Sequence, residues 1–145
     1  MKLPDTNLLV YAMDSSSARH APARAWLDAQ LSGTETIAFA WAVLLAFLRL
    51  STNPRVFAAP LTPGEALDVI DGWLAQPSVT VIHPTERHPA VLRELLEPLG
   101  TAGNLTSDAH LAALAIEHGA ELCSSDADFS RFAGLRWEDP LSSGA

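Results

Sequence analysis

Four aspartates set the chemistry open to this 145-residue chain: Asp5, Asp108, Asp126 and Asp128. Asp5 closes the opening Lys2–Pro4, which reads as a short strand ending at the carboxylate. Asp108 opens a helix expected from Thr106 or Ser107 to His118, capped by hydroxyls and closed by Gly119. Asp126 and Asp128 follow a strand expected over Glu121–Ser124. Carboxylates gathered at one place repel, and one must protonate unless a cation neutralises them. An all-oxygen site suits a hard divalent ion, Mg²⁺ or Mn²⁺. Such an ion orients a water, lowers its pKa and stabilises charge on a phosphoryl oxygen. Metal-dependent phosphodiester hydrolysis is the chemistry this set favours.

Each aspartate also has an ordinary structural use. Asp5 can cap a following helix, Asp108 suits the positive end of a helix dipole, and Asp126 and Asp128 suit an Asx turn. Other reactive side chains offer less. His20, His83, His88, His110 and His118 form no HxH or HExxH pattern. His110 lies two residues past Asp108 and points elsewhere on a helix, which assigns it to the surface or to support rather than ligation. Cys123 falls in a buried strand as an inert core residue. Ser124 and Ser125 have no placed His base, which argues against a serine nucleophile. Arg19 and Arg24, Arg49 and Arg55, and Arg131 and Arg136 could line a nucleic-acid path, although each alone reads as solvated surface. Trp26, Trp41 and Trp73 read as core or dimer contacts rather than base-stacking platforms.

The elements that position these residues alternate between strand and helix. After the Asp5 strand, Leu8–Met13 begin a helix, Ala21–Leu31 form a second and Glu35–Phe39 a strand. Ala40–Thr52 reads as a buried helix ending before Pro54. Its apolar stripe is Trp41, Leu44, Leu45 and Leu48, with Ala42, Ala46, Arg49 and Asn53 on the other side. Thr62-Pro63 with Glu65 starts a helix reaching about Ala75. Val79–His83 is a strand, a helix runs on from Pro84-Thr85 through Glu97, Thr101–Asn104 is a turn, and Leu135–Trp137 is a last strand. The pattern predicts an α/β fold, a parallel sheet with helices on both faces. Ligands of such sheets bind beyond the carboxyl ends of the strands, where Asp5 and Asp126 should share one crevice. One domain over residues 1–140 and a frayed tail over 141–145 complete the organisation.

Composition bounds the reading. With 48% hydrophobic residues the chain can bury a sizeable core. Its longest apolar run, Ile37–Leu48, is too short to span a bilayer, and Asp5 interrupts the stretch a secretory signal would need. One cysteine excludes an internal disulfide framework. A cytoplasmic protein is expected. The net charge of −8, with eight arginines and a single lysine, has the wrong sign for binding nucleic acid by bulk electrostatics. Cations at the carboxylates or a local arginine patch would have to compensate.

Four blocks carry a resemblance that nearly spans the chain. Leu3-Pro4-Asp5-Thr6-Asn7-Leu8-Leu9 resembles the opening of PIN-domain toxins of the VapC family, and Leu44–Pro54 resembles their second motif. Asn104–Ala115 is similar to the third, and Ser124–Phe129, followed by Phe132 and Leu135-Arg136-Trp137, to the closing one. Four blocks in order make the likeness strong. It implies a Rossmann-like PIN fold and a single-strand-specific, Mg²⁺- or Mn²⁺-dependent ribonuclease of a toxin–antitoxin system. Asp5, Asp108 and Asp126 would match the acidic metal-site residues, Asp5 and Asp108 foremost as direct ligands. Asp128 would match a supporting acidic position, and Asn104 or Thr106 would hold water or substrate. Arg49, kept within the second motif, is the candidate substrate cation. The resemblance also implies a homodimer and a cognate VapB-type antitoxin that inserts a segment into the active-site groove, where an arginine would suit the negative pocket.

One departure stands out. The family's second motif carries a glutamate where this sequence has Ala46, while Phe47, Leu48 and Arg49 are retained. Read alone, Ala46 is a good helix former in an apolar helix. Read against the family, it replaces a catalytic glutamate and supplies no oxygen ligand. Deliberate substitution, to make a toxic protein tolerable to produce, is the first explanation, and natural decay of the toxin the second. Impaired cleavage in an intact fold is expected. The alternative is a non-catalytic PIN-like subunit whose aspartates hold a metal or a partner's arginine.

Overall fold

In the computed structural model, residues 1–142 are described. They form a five-stranded, all-parallel sheet in the order β3-β2-β1-β4-β5. The strands are β1 (Lys2–Pro4), β2 (Ile37–Phe39), β3 (Val79–Val81), β4 (Glu121–Cys123) and β5 (Trp137–Glu138). Six α-helices accompany them: α1 (Thr6–Met13), α2 (His20–Ser32), α3 (Trp41–Ser51), α4 (Pro63–Leu74), α5 (His88–Leu96) and α6 (Thr106–His118). The chain steps from β1 outward to β3, then returns across the sheet to β4 on the far side of β1. Right-handed crossovers therefore put α1–α4 on one face and α5–α6 on the other. The direction of winding reverses between β1 and β4.

Local chemistry explains the positioning elements. Lys2 N–H donates to Thr36 O on the β2 side of β1, and Asp5 N–H donates to Cys123 O on the β4 side. Pro4 has no N–H to continue the β2 ladder, so β1 pairs with β4 over three residues and with β2 at Lys2 alone. Helix α4 begins with a complete capping box. The Thr62 hydroxyl accepts from Glu65 N–H (3.1 Å), and the Glu65 carboxylate accepts from Thr62 N–H (2.9 Å). Trp73 of α4 stacks on Phe39 (5.7 Å between ring centroids) and packs against Phe47 (4.8 Å), fastening α4 and α3 over β2. Between α5 and α6, the Glu117 carboxylate accepts from Thr85 N–H and hydroxyl and pairs with His88, whose other ring nitrogen meets His110 at 2.9 Å. His110 is thereby a packing residue of that seam.

The structure corrects three expectations. On α3 the buried residues are Val43, Leu44, Phe47 and Ser51, whereas Trp41 and Leu45 are 44% and 56% exposed. An apolar run without polar breaks contains more than one stripe at helical spacing, and contact with the sheet selected a different one. Helix α6 has no hydroxyl cap: it continues from a 3₁₀ turn, Gly103–Leu105, and the Thr106 hydroxyl donates to Gly103 O instead. The last strand is Trp137–Glu138 rather than Leu135–Trp137. Gly119 closes α6 in the left-handed conformation, φ 65°, as expected. Of the tail, Leu141 packs against the core and its N–H donates to Asp139, while residues 143–145 lie outside the described residues. No helix among those described is long and apolar enough to cross a membrane.

Candidate active site

The carboxyl ends of β1 and β4 lie side by side at the point where the winding reverses, which is where open α/β sheets form a binding crevice. Asp5 follows β1 and caps α1: its Oδ1 accepts from Thr6 N–H at 2.7 Å and its Oδ2 from the Ser124 hydroxyl at 2.8 Å. Asp126, beyond β4, accepts from Asp128 N–H at 2.9 Å in an Asx turn that starts a 3₁₀ helix. Asp108 sits in the first turn of α6. The capping and turn roles are thus realised alongside any chemical one. They fix the backbone that aims the carboxylates.

Oxygens of Asp108, Asp126 and Asp128 lie within 4.8 Å of one another. Burial, then the charges of Asp5, Asp126 and Asp128, push the Asp108 carboxyl up to about 6. Asp5 is also raised, chiefly by burial and further by Asp126, against hydrogen bonds from Ser124 and Thr6 that favour its ionised form. A second acidic group, Glu121 and Glu138 beside Cys123, differs in one respect: the Lys2 ammonium is hydrogen-bonded to both glutamates. Among the described residues no cationic side chain forms a salt bridge with Asp5, Asp108, Asp126 or Asp128. Uncompensated carboxylates with hard oxygen donors fit a divalent ion such as Mg²⁺ or Mn²⁺.

A cavity of about 520 Å³ adjoins this group, lined among others by Asp5, Ala46, Arg49, Ser107 and Asp108. Position 46 therefore faces the space beside two of the aspartates. Asn104 and Thr106 are exposed and do not line the cavity, and Thr106 spends its hydroxyl on Gly103. Sequence reasoning overlooked Ser107 as a lining residue and Ser124 as a partner of Asp5. Adjacency to Asp108 could have flagged the first, but the second is a contact across 119 positions. Cys123 is fully buried, and burial pushes its thiol up to about 12, in keeping with an inert core residue.

Residues 2–135 match the family described as PIN domain. Ribonuclease VapC37 of Mycobacterium tuberculosis (strain ATCC 25618 / H37Rv) is 47% identical over 140 residues, 97% of each chain. This chain is a PIN-domain protein of the VapC ribonuclease family. Another family relative, ribonuclease VapC33 of the same organism, is 44% identical over 97% of this chain and 99% of its own. The PIN fold extends to solved structures at lower identity. A VapBC2 complex from Rickettsia felis, bound to a DNA fragment from their promoter, superposes with TM-score 0.69 at 22% identity, over 94% of this chain and 96% of the other. The sarcin–ricin loop cleaving toxin VapC20 of Mycobacterium tuberculosis does so with TM-score 0.63 at 20% identity, over 94% and 99%.

Proposed function

We propose that this VapC-family chain is the toxin half of a toxin–antitoxin pair, built as a divalent-metal endoribonuclease that cleaves RNA phosphodiester bonds. The observation that carries the reading is the uncompensated group Asp108, Asp126 and Asp128, whose Asp108 lines, together with Asp5, the cavity that contains Arg49. Asp5, Asp108 and Asp126 would hold Mg²⁺ or Mn²⁺, with Asp128 supporting them. When bound, the ion supplies a water of lowered pKa and stabilises charge on a phosphoryl oxygen. Arg49 holds a substrate phosphate from α3, and Asn104, before α6, and Thr106, at its first position, contact the RNA outside the cavity. The VapC-named relatives support the choice of RNA.

Ala46 offers this centre no oxygen, so the chain as written is impaired in cleavage. That same alanine favours a second reading, a non-catalytic subunit whose aspartates bind a metal or a partner's arginine. The partner in either case is a VapB-type antitoxin, a choice supported by the VapBC complexes that share the fold. The exposed Trp41 and Leu45 support a homodimer, and the site of action is the cytoplasm.

Cleavage of a mixed RNA pool with Mg²⁺ or Mn²⁺ tests the assignment. The Ala46→Glu variant is expected to cut at least about a hundredfold faster than the parent, since a metal-centre contribution of a few kcal/mol has that effect on rate. Equal rates in the two chains would sink the role given to position 46. If neither cuts while both stay folded and bind metal, the binding-subunit reading takes over.

A further inference from the structure

Ser124 takes no part in the reading above, yet it is the most thoroughly anchored residue at the crevice. It is fully buried. Its N–H donates to Glu138 O at 3.0 Å, and its carbonyl accepts from the Trp137 indole at 3.0 Å, which ties its backbone to β5. Its hydroxyl oxygen accepts from Asp126 N–H at 3.0 Å and from the Asn7 amide nitrogen at 3.3 Å. A hydroxyl has two acceptor sites and one proton. The Asp126 N–H can only donate, whereas Asp5 Oδ2 at 2.8 Å is a carboxylate oxygen that accepts, so the hydroxyl proton lies on Asp5.

The same accounting orients Asn7. Were its amide reversed, its oxygen would face a hydroxyl that has already given its proton to Asp5. The carboxamide nitrogen must point at Ser124, although this leaves the buried Asn7 Oδ1 without a partner. A buried acceptor left unpaired is unfavourable, so the surroundings impose this orientation against a local penalty.

From this geometry we infer that Ser124 is a positioning residue of the acidic centre: its single buried hydroxyl fixes Asp5 and Asp126 relative to each other across the β1–β4 seam, with the Asn7 amide filling its second acceptor site. This rests on the reading that the centre binds a divalent ion. Asp5 brings in the first strand and Asp126 the fourth, and like charges would separate them. Ser124 favours ionised Asp5 by donation and holds the Asp126 backbone by acceptance. Removing the hydroxyl releases both at once.

The test is Mn²⁺ affinity of the full chain by titration calorimetry, with folding followed by circular dichroism. Ser124→Ala is expected to bind Mn²⁺ at least about tenfold more weakly than the parent, the usual cost of removing a group that orients metal ligands. Ser124→Cys, close in size but a poor donor, should show the same loss and serves if the alanine variant fails to fold. Ser124→Thr, which keeps the hydroxyl, should stay within about threefold of the parent, a rescue that a purely packing role would not give. A folded Ser124→Ala or Ser124→Cys variant that binds Mn²⁺ as tightly as the parent overturns the inference while leaving the metal centre standing. No Mn²⁺ binding by the parent removes the metal centre itself, and the inference falls with it.

Discussion

At the scale of single residues, the site stores repulsion. Asp108 is held at about 6, well above its ordinary 3.8, by burial first and then by three neighbouring aspartates. A carboxyl raised on folding favours the folded state at low pH, and that contribution is lost as pH rises through the folded value. With metal chelated, Asp108→Asn should therefore raise the melting temperature by a few degrees at pH 7.5. Asp108 is only partly buried, so after solvent screening this corresponds to about 1 kcal/mol. The gain should shrink as pH falls through about 6 and vanish near 3.8. Thermal melts of the two chains in a chelating buffer decide it. A gain that ignores pH would mean that repulsion is not its source. The same substitution should weaken Mn²⁺ binding, so stability and metal affinity move in opposite directions.

At the scale of elements, local signals were legible where one residue type has few physical alternatives. Pro63 with Thr62 and Glu65 announced the start of α4, and Gly119 announced the end of α6. Thr62→Ala should cost about 1 kcal/mol by removing half of the capping box. The loss would appear as a lower urea midpoint with an unchanged slope, and Mn²⁺ affinity should not change because α4 is remote from the carboxylates. A changed slope would instead point to an altered denatured or native state. The strand ends at Asp5 and near Asp126 were legible for the same reason. The buried face of α3 was not, because Ile37–Leu48 is apolar throughout and its period cannot be read. Position 46 was still placed on the side that lines the cavity, since Ala42 and Arg49 accompany it there. The contacts of Ser124 with Asp5 and of Glu117 with His88 were beyond any local reading. They depend on which strands and helices become neighbours.

At the scale of the whole molecule, charge decides how RNA can approach. With a net charge of −8, long-range attraction is absent, and Arg49 is the cationic residue that lines the cavity. Single-stranded RNA should bind measurably only with divalent ions present. The slope of log affinity against log monovalent salt should be shallow, about −0.7 per phosphate neutralised. Arg49→Ala should flatten it by about that amount. Fluorescence anisotropy across a salt series at fixed Mg²⁺ measures both quantities. A steep slope that survives Arg49→Ala would place the cationic footprint elsewhere, on Arg55 or Arg131 for instance.

The seam between β1 and β4 also has a consequence in time. Asp5 is synthesised 119 positions before Ser124, whose hydroxyl donates to it. The strands between them build the opposite half of the sheet, so the acidic centre cannot close until β4 has been made. A nascent or prematurely terminated copy lacking β4 carries Asp5 without Ser124, Asp126 and Asp128 and cannot assemble the acidic centre. Any activity of the acidic centre begins only once β4 has been synthesised.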